Sequence, residues 1–214
     1  SQRKIIKHWA TGLFAWLVAL TLFFPILWMI MTSFKTELQA ISQPPLLFWE
    51  ATLDNYMLIQ ERSDYLKYAL NSLYTSVGGT VLALLVAVPS AYAMAFFPGK
   101  HTKDILLWML STKMLPAVGV LIPIYLITQM GGLLDSIYPL IVIFALMNLP
   151  IIMWMLYTYF KEIPKEILEA ARMDGATTRD ELRHVVMPLS WGGIASAGLL
   201  ALWCSMLASS KAAW

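Results

Sequence analysis

Tyr138-Pro139-Leu140-Ile141-Val142-Ile143-Phe144-Ala145-Leu146-Met147-Asn148-Leu149-Pro150-Ile151-Ile152-Met153-Trp154-Met155-Leu156-Tyr157-Thr158-Tyr159-Phe160 is a run of 23 residues without one charge. A helix of about 20 mostly apolar residues crosses the hydrocarbon of a bilayer. Lipid offers no hydrogen bonds, so a chain at that depth must satisfy its own backbone, which a helix does. The run therefore reads as a membrane span, and four more stretches read the same way. These are Trp9 to Met31, about Leu70 to Phe97, Ile105 to about Ile127, and Pro188 to about Leu207. The expected fold is an all-α, polytopic transmembrane helical bundle of five spans, with residues 1–214 as a single transmembrane domain. The first stretch is too long for the apolar part of a signal peptide and lacks a small-residue cleavage site, so it is expected to be a retained anchor.

Composition agrees. The chain is 59% hydrophobic and 13% charged, with mean hydropathy +0.66, whereas a soluble domain carries about 25% charged residues. A net charge of +2, scattered along the chain, gives no basic surface for nucleic acid. Cys204 is the single cysteine, which excludes an intrachain disulfide, and His8, His101 and His184 lie too far apart in sequence to suggest a metal site.

Lys and Arg set the orientation, because they gather on the cytoplasmic side. Arg3, Lys4, Lys7, Lys100, Lys103, Lys161, Lys165, Arg172, Arg179 and Arg183 fall on one side of the five-span arrangement. Lys35, Arg62, Lys67 and Lys211 fall on the other. The N-terminus is expected to be cytoplasmic, together with residues 98–104 and 161–187, and residues 35–67 external. The external segment carries Pro44-Pro45, Phe48, Trp49 and Tyr56. It suits either a short folded cap or an interfacial loop with Trp49 among the headgroups.

The internal segment reads Lys161-Glu162-Ile163-Pro164-Lys165-Glu166-Ile167-Leu168-Glu169-Ala170-Ala171-Arg172-Met173-Asp174-Gly175-Ala176. Pro164 fits a first helical turn and Gly175 a left-handed stop. A second short helix is expected from Thr178, with Glu181 completing a capping box and Leu182, Val185 and Val186 as its apolar stripe, before Pro188 opens the last span. Ala170, Ala171 and Ala176 would let a partner approach the backbone. The alternative is an ordinary charged connection.

Glu169-Ala170-Ala171, with Gly175 four residues on and Val185, Met187 and Pro188 beyond, resembles the EAA loop of binding-protein-dependent ABC importer permeases. The string from Glu169 to Ala176 is similar to the form found in carbohydrate importers. Val185 and Met187 stand where that family has Ile and Leu. Thr32-Ser33-Phe34-Lys35-Thr36-Glu37, Asn71-Ser72-Leu73 and Ser111-Thr112-Lys113-Met114-Leu115-Pro116 resemble the same branch, the last leaning towards polyol carriers. The resemblance implies six spans, against five legible here, and an Asn-Glu pair that Leu202-Trp203-Cys204-Ser205-Met206 lacks. It further implies a multi-pass protein of a bacterial or archaeal inner membrane that is not itself an enzyme. Its expected partners are an ATP-binding subunit dimer, a second and different permease, an extracytoplasmic solute-binding protein, a sugar or polyol, and the lipid bilayer. Glu169, Ala170, Ala171, Asp174, Gly175 and Pro188 would form the ATPase-coupling set. ATP and Mg would be bound by the partner subunit and no cofactor by this chain, since Pro98-Gly99-Lys100-His101 lacks the upstream glycine and the Ser/Thr of a phosphate-cradling loop.

Inside the membrane, Lys113 lies about eight residues into the third stretch. A cation there costs about 2.5 kcal/mol or more unless it meets water, a partner or the headgroups. It either lines a gated passage or snorkels over Asp104, and Pro116 and Pro123 imply a bend or break nearby. Asn148 suits the translocation pathway or an interhelical hydrogen bond. Tyr125 and Trp154 suit a sugar face or lipid. Gly78-Gly79, Gly192 with Ser196, and Gly193 with Ala197 suit close helix contacts. The competing function is an ATP-independent secondary transporter or channel, which would want acidic or histidine groups within its spans; none stands between their ends. A membrane enzyme would need convergent catalytic groups, and the external acids Glu37, Glu50, Asp54, Glu61 and Asp64 show no such pattern. With Cys204 removed, single cysteines at Ser42 and Thr177 should react with an impermeant maleimide from opposite sides of the membrane. Reaction of both from outside intact cells would reverse or break the assigned topology.

Overall fold

The computed structural model describes residues 2–46, 48–115, 117–134 and 136–212, without the side chains of 2–8, 10, 117–118 and 210–212. The chain forms two compact units, residues 1–66 and 67–214.

The first unit is built on α1 (Gln2–Ser33), with two short helices after it, α2 (Glu37–Ala40) and α3 (Asp54–Arg62). Thr11–Ser33 is long and apolar enough to cross a membrane, and none of its most apolar stretch is buried by protein. The polar segment after α1 is folded against the helix end, the arrangement of a short cap. Asn55 Nδ2 donates to the carbonyls of Ser33 (3.0 Å) and Lys35 (2.6 Å), and Tyr56 OH donates to Ser33 Oγ (2.8 Å). Helix ends leave carbonyls without intrahelical donors, and α3 supplies donors here. Lys35 is buried, its Nζ donating to the Leu46 carbonyl (2.7 Å) between the rings of Trp28 (4.8 Å) and Trp49 (4.5 Å). The indole faces partly replace the water that the ammonium loses.

The second unit contains three long helices, of which α4 (Tyr65–Phe96) begins just before the unit boundary: α4, α7 (Ile137–Lys161) and α11 (Trp191–Ala212). Between α4 and α7 lie α5 (Thr102–Ser111), a 3-10 turn (Thr112–Met114) and α6 (Ala117–Met130). Between α7 and α11 lie α8 (Lys165–Met173), α9 (Thr178–Asp180), a π-helical turn (Glu181–Val186) and α10 (Met187–Leu189). Lipid tails give apolar helices no reason to prefer one another, so close packing at small residues holds such bundles together. On α4, Ala83, Ala87, Ala91 and Ala95 recur every fourth residue and all are buried. A Cβ on Gly79 would lie 2.9 Å from Phe144 Cβ and 3.2 Å from the Ile141 carbonyl, so α4 and α7 touch nearly backbone to backbone. A Cβ on Gly193 would lie 2.5 Å from the Tyr159 ring, on the opposite contact of α7 with α11. Gly192, in contrast, faces open space.

The third stretch differs from the continuous helix expected over Ile105 to Ile127. It is two pieces, bent by 93° between Thr102–Met114 and Gly119–Met130. Pro116 lies outside the described residues, while Pro123 sits inside α6. Among the described residues four helices are long and apolar enough to cross a membrane, and five crossings result if the bent pair counts as one. Large side chains such as Leu85, Trp108, Leu121 and Leu199 stay exposed, as lipid contact requires. Gly79→Ala should destabilise the purified chain by about 1–3 kcal/mol through overpacking against fixed backbone, lowering its thermal midpoint in detergent. Gly192→Ala should leave the midpoint level or slightly higher, and an equal loss in both variants would mean that α4 and α7 are not in that contact.

Candidate functional site

The loop after α7 folds as its local residues dictate. Pro164 takes the cap position of α8, at φ −58° and ψ 133°, one residue ahead of the first turn where sequence placed it. Leu168 is buried and Ala171 half-buried, whereas Glu166, Glu169, Ala170, Met173 and Asp174 are exposed. The helix ends at Gly175, at φ +84°. Gly175 N–H donates to the Arg172 carbonyl (3.0 Å) and Ala176 N–H to the Ala171 carbonyl (3.0 Å), which is the paired-bond Schellman ending that glycine permits. Five of the expected coupling residues, Glu169, Ala170, Ala171, Asp174 and Gly175, thus share one short helix and its stop. Pro188 stands apart in α10, beyond the π turn. A proline cannot donate to the carbonyl four residues back and crowds it, and the wider π turn ends just ahead of it. An open cavity of about 500 Å³ lies beside α8, lined by Tyr159, Pro164, Ile167, Ser190 and Gly193 among others.

The capping box is one residue earlier than the sequence suggested. Thr177, not Thr178, is the cap, and Asp180, not Glu181, answers it: Asp180 Oδ2 accepts from Thr177 N (3.1 Å) and from its hydroxyl (2.5 Å). Those bonds hold the Asp180 carboxyl below the usual carboxylate range. Asp180 is taken up by the cap, and Glu181 turns inward.

Glu181 is only 2% exposed. Its Oε1 accepts from Arg172 Nε (2.5 Å), and its Oε2 from Arg172 Nη2 (3.1 Å) and from Tyr92 OH (2.5 Å). The Arg172 guanidinium holds the Glu181 carboxyl below its ordinary range despite burial, and Glu181 in turn raises that of Arg172. Arg172 also lies over the Phe97 ring (5.3 Å), and Tyr92 packs edge-on to Phe97 (6.0 Å). Tyr92 belongs to α4, so the loop after α7 is tied to a helix 89 residues earlier. Sequence reading missed this cluster: it gave Glu181 to a cap and counted Arg172 only as a loop charge.

The residues expected inside the membrane stand in three settings. Lys113 is exposed on the 3-10 turn at the break. Asp104 faces His101 (3.4 Å) rather than Lys113. Tyr125 is exposed on α6. Asn148 is buried, and its Nδ2 donates to the Phe144 carbonyl (2.9 Å) and across to Ser205 Oγ on α11 (2.9 Å). Of its two alternatives, this geometry supplies the interhelical bond.

Residues 79–213 match the family described as binding-protein-dependent transport system inner membrane component. The chain belongs to that family. It is 30% identical over 198 residues to the probable ABC transporter permease protein y4oR of Sinorhizobium fredii, covering 91% of this chain and 71% of that one. It is 34% identical over 179 residues to the sulfoquinovosyl glycerol transport system permease protein SmoH of Agrobacterium fabrum, covering 83% and 63%. The chain therefore spans between 63% and 71% of the length of these two relatives. A crystal structure of a bacterial ABC transporter involved in the import of the acidic polysaccharide alginate shares the fold, with TM-score 0.76 and 23% identity over 96% of this chain and 72% of that one. The multi-pass, all-helical reading is that of this family of inner membrane components.

Proposed function

We propose that the chain is one membrane-spanning permease subunit of an ATP-driven carbohydrate or polyol importer. Family membership supports the transport role, and relatives named for sulfoquinovosyl glycerol, diacetylchitobiose and trehalose support the substrate class. The observation that carries the reading is α8. One face is anchored by Leu168, while Glu169, Ala170 and Met173 stand clear of the protein, Met173 at 88% exposure. A folded helix with an apolar and acidic face turned outward, at the end of a membrane bundle, is a surface made for another protein. In this reading an ATP-binding subunit dimer docks there, holds ATP and Mg, and hydrolyses the nucleotide. A second permease and an extracytoplasmic solute-binding protein complete the assembly.

The N-terminus is cytoplasmic in this reading. The bond from Tyr92 to Glu181 brings the end of α4 and the loop after α7 to one side, as alternating spans require. Lys113 and Tyr125 line the passage near the break between α5 and α6, and Asn148 packs α7 against α11. Nothing in the site favours the ATP-independent alternative.

Glu169→Lys and Gly175→Asp should each abolish uptake while the chain stays in the membrane. Glu169 would lose a charge-assisted contact of about 1.5–3 kcal/mol, and Gly175 would place a side chain at positive φ, a strain of about 1–2 kcal/mol. Val185→Ile should be nearly silent. Copurification of the ATPase is measured beside uptake, and normal values in both severe variants would reduce the loop to a mere connection. Lys113→Met should alter uptake or basal ATP hydrolysis in a complex that still assembles, whereas normal uptake at normal expression would remove Lys113 from the passage.

A further inference from the structure

An ion pair between buried Glu181 and Arg172, whose side chain is 44% exposed, contributes little net stability. Its worth is directional, because it holds two elements in one register. Arg172 lies three residues after Glu169 on α8, so the exposed face of α8 and Arg172 move as one short rigid body. Beyond Gly175 the chain runs through a π turn, then α10 and a break at Ser190 before α11 resumes. π-helical turns are rare and mark places where a helix departs from its regular ladder. The backbone route from α8 to α11 is thus interrupted three times, at Gly175, at the π turn and at Ser190.

The route through Glu181 is not. Both its oxygens are occupied, bonded directly to Arg172 of α8 on one side and to Tyr92 of α4 on the other. Tyr92 lies four residues before the last residue of α4, and its ring is buried among Phe96 and Phe97. Leu168 adds apolar contact to the same core, but apolar contact permits sliding where three hydrogen bonds to one carboxylate do not.

We infer that Tyr92, Glu181 and Arg172 are positioning residues that transmit displacement of α8 into α4, making these two helices a single mechanical body during transport. The inference rests on the importer reading and adds to it which span the loop drives.

The test uses the chain in complex with its ATPase, Cys204 replaced by Ser, and a nitroxide on a cysteine at Lys165 (α8) or at Ala93 (α4). Both positions are exposed. ATP with Mg should change the mobility of both labels in the parent complex. In Tyr92→Phe, which keeps ring volume and removes one hydroxyl, and in Glu181→Gln, the Lys165 label should respond as before. The Ala93 response should fall by about fivefold or more, the scale of a lost coupling. A role in stability alone would lower the yield of complex and leave the two responses linked. An unchanged Ala93 response in assembled Tyr92→Phe complexes overturns the inference, and that variant decides the matter if Glu181→Gln does not assemble. A parent complex whose Lys165 label ignores ATP and Mg overturns the importer reading and this inference together, a result distinct from the first.

Discussion

Helices surrounded by lipid gain nothing from hiding apolar side chains from one another, so what fixes this bundle is how closely its backbones can come together. α7 is the element on which that depends. Gly79 lets α4 approach its Phe144, and Gly193 lets α11 approach Tyr159 some four turns further along. Between those contacts the polar bond from Asn148 to Ser205 fixes the rotation of α7 against α11. Many large apolar side chains are turned outward, while small residues of α4 set the close approach and Ile152, Leu156 and Phe160 of α7 fill the inside.

Among the membrane-crossing stretches, the third is broken, between α5 and α6. A broken helix within a membrane protein is tolerated where the freed groups meet protein or water. Lys113 sits at that break, on the 3-10 turn, with its side chain left exposed by the protein. An interrupted helix and a cation at one spot reinforce each other, since the water that one needs also serves the other.

The spans were legible because their signal is long: α4, α7 and α11 each appeared within a few residues of their true ends. The fold of the loop after α7 was legible because Pro164 and Gly175 act on their nearest neighbours. Reading failed where a choice turned on one residue or on distance in space. Thr177 and Thr178 are equally good caps by type, and only the fit of Asp180 to the backbone separates them. Once that register moved, Glu181 changed from a cap into the centre of a buried cluster, and no local pattern announced Tyr92 as its partner. Asn148 was ambiguous for the same reason, since its partner Ser205 lies on another helix. The third span misled because apolar length reports where a chain can lie in lipid and not whether it is straight.

The cap after α1 has a consequence for depth. Asn55 binds the last carbonyl of α1, that of Ser33, and the carbonyl of Lys35, whose ammonium is clasped by Trp28 and Trp49. Indoles and lysines favour the boundary between headgroups and hydrocarbon. α1 can therefore neither unwind its end nor extend it by a turn to suit a thinner or thicker bilayer. The cap acts as a collar, and a membrane of different thickness would have to be met by tilting α1 or by deforming the lipid around it.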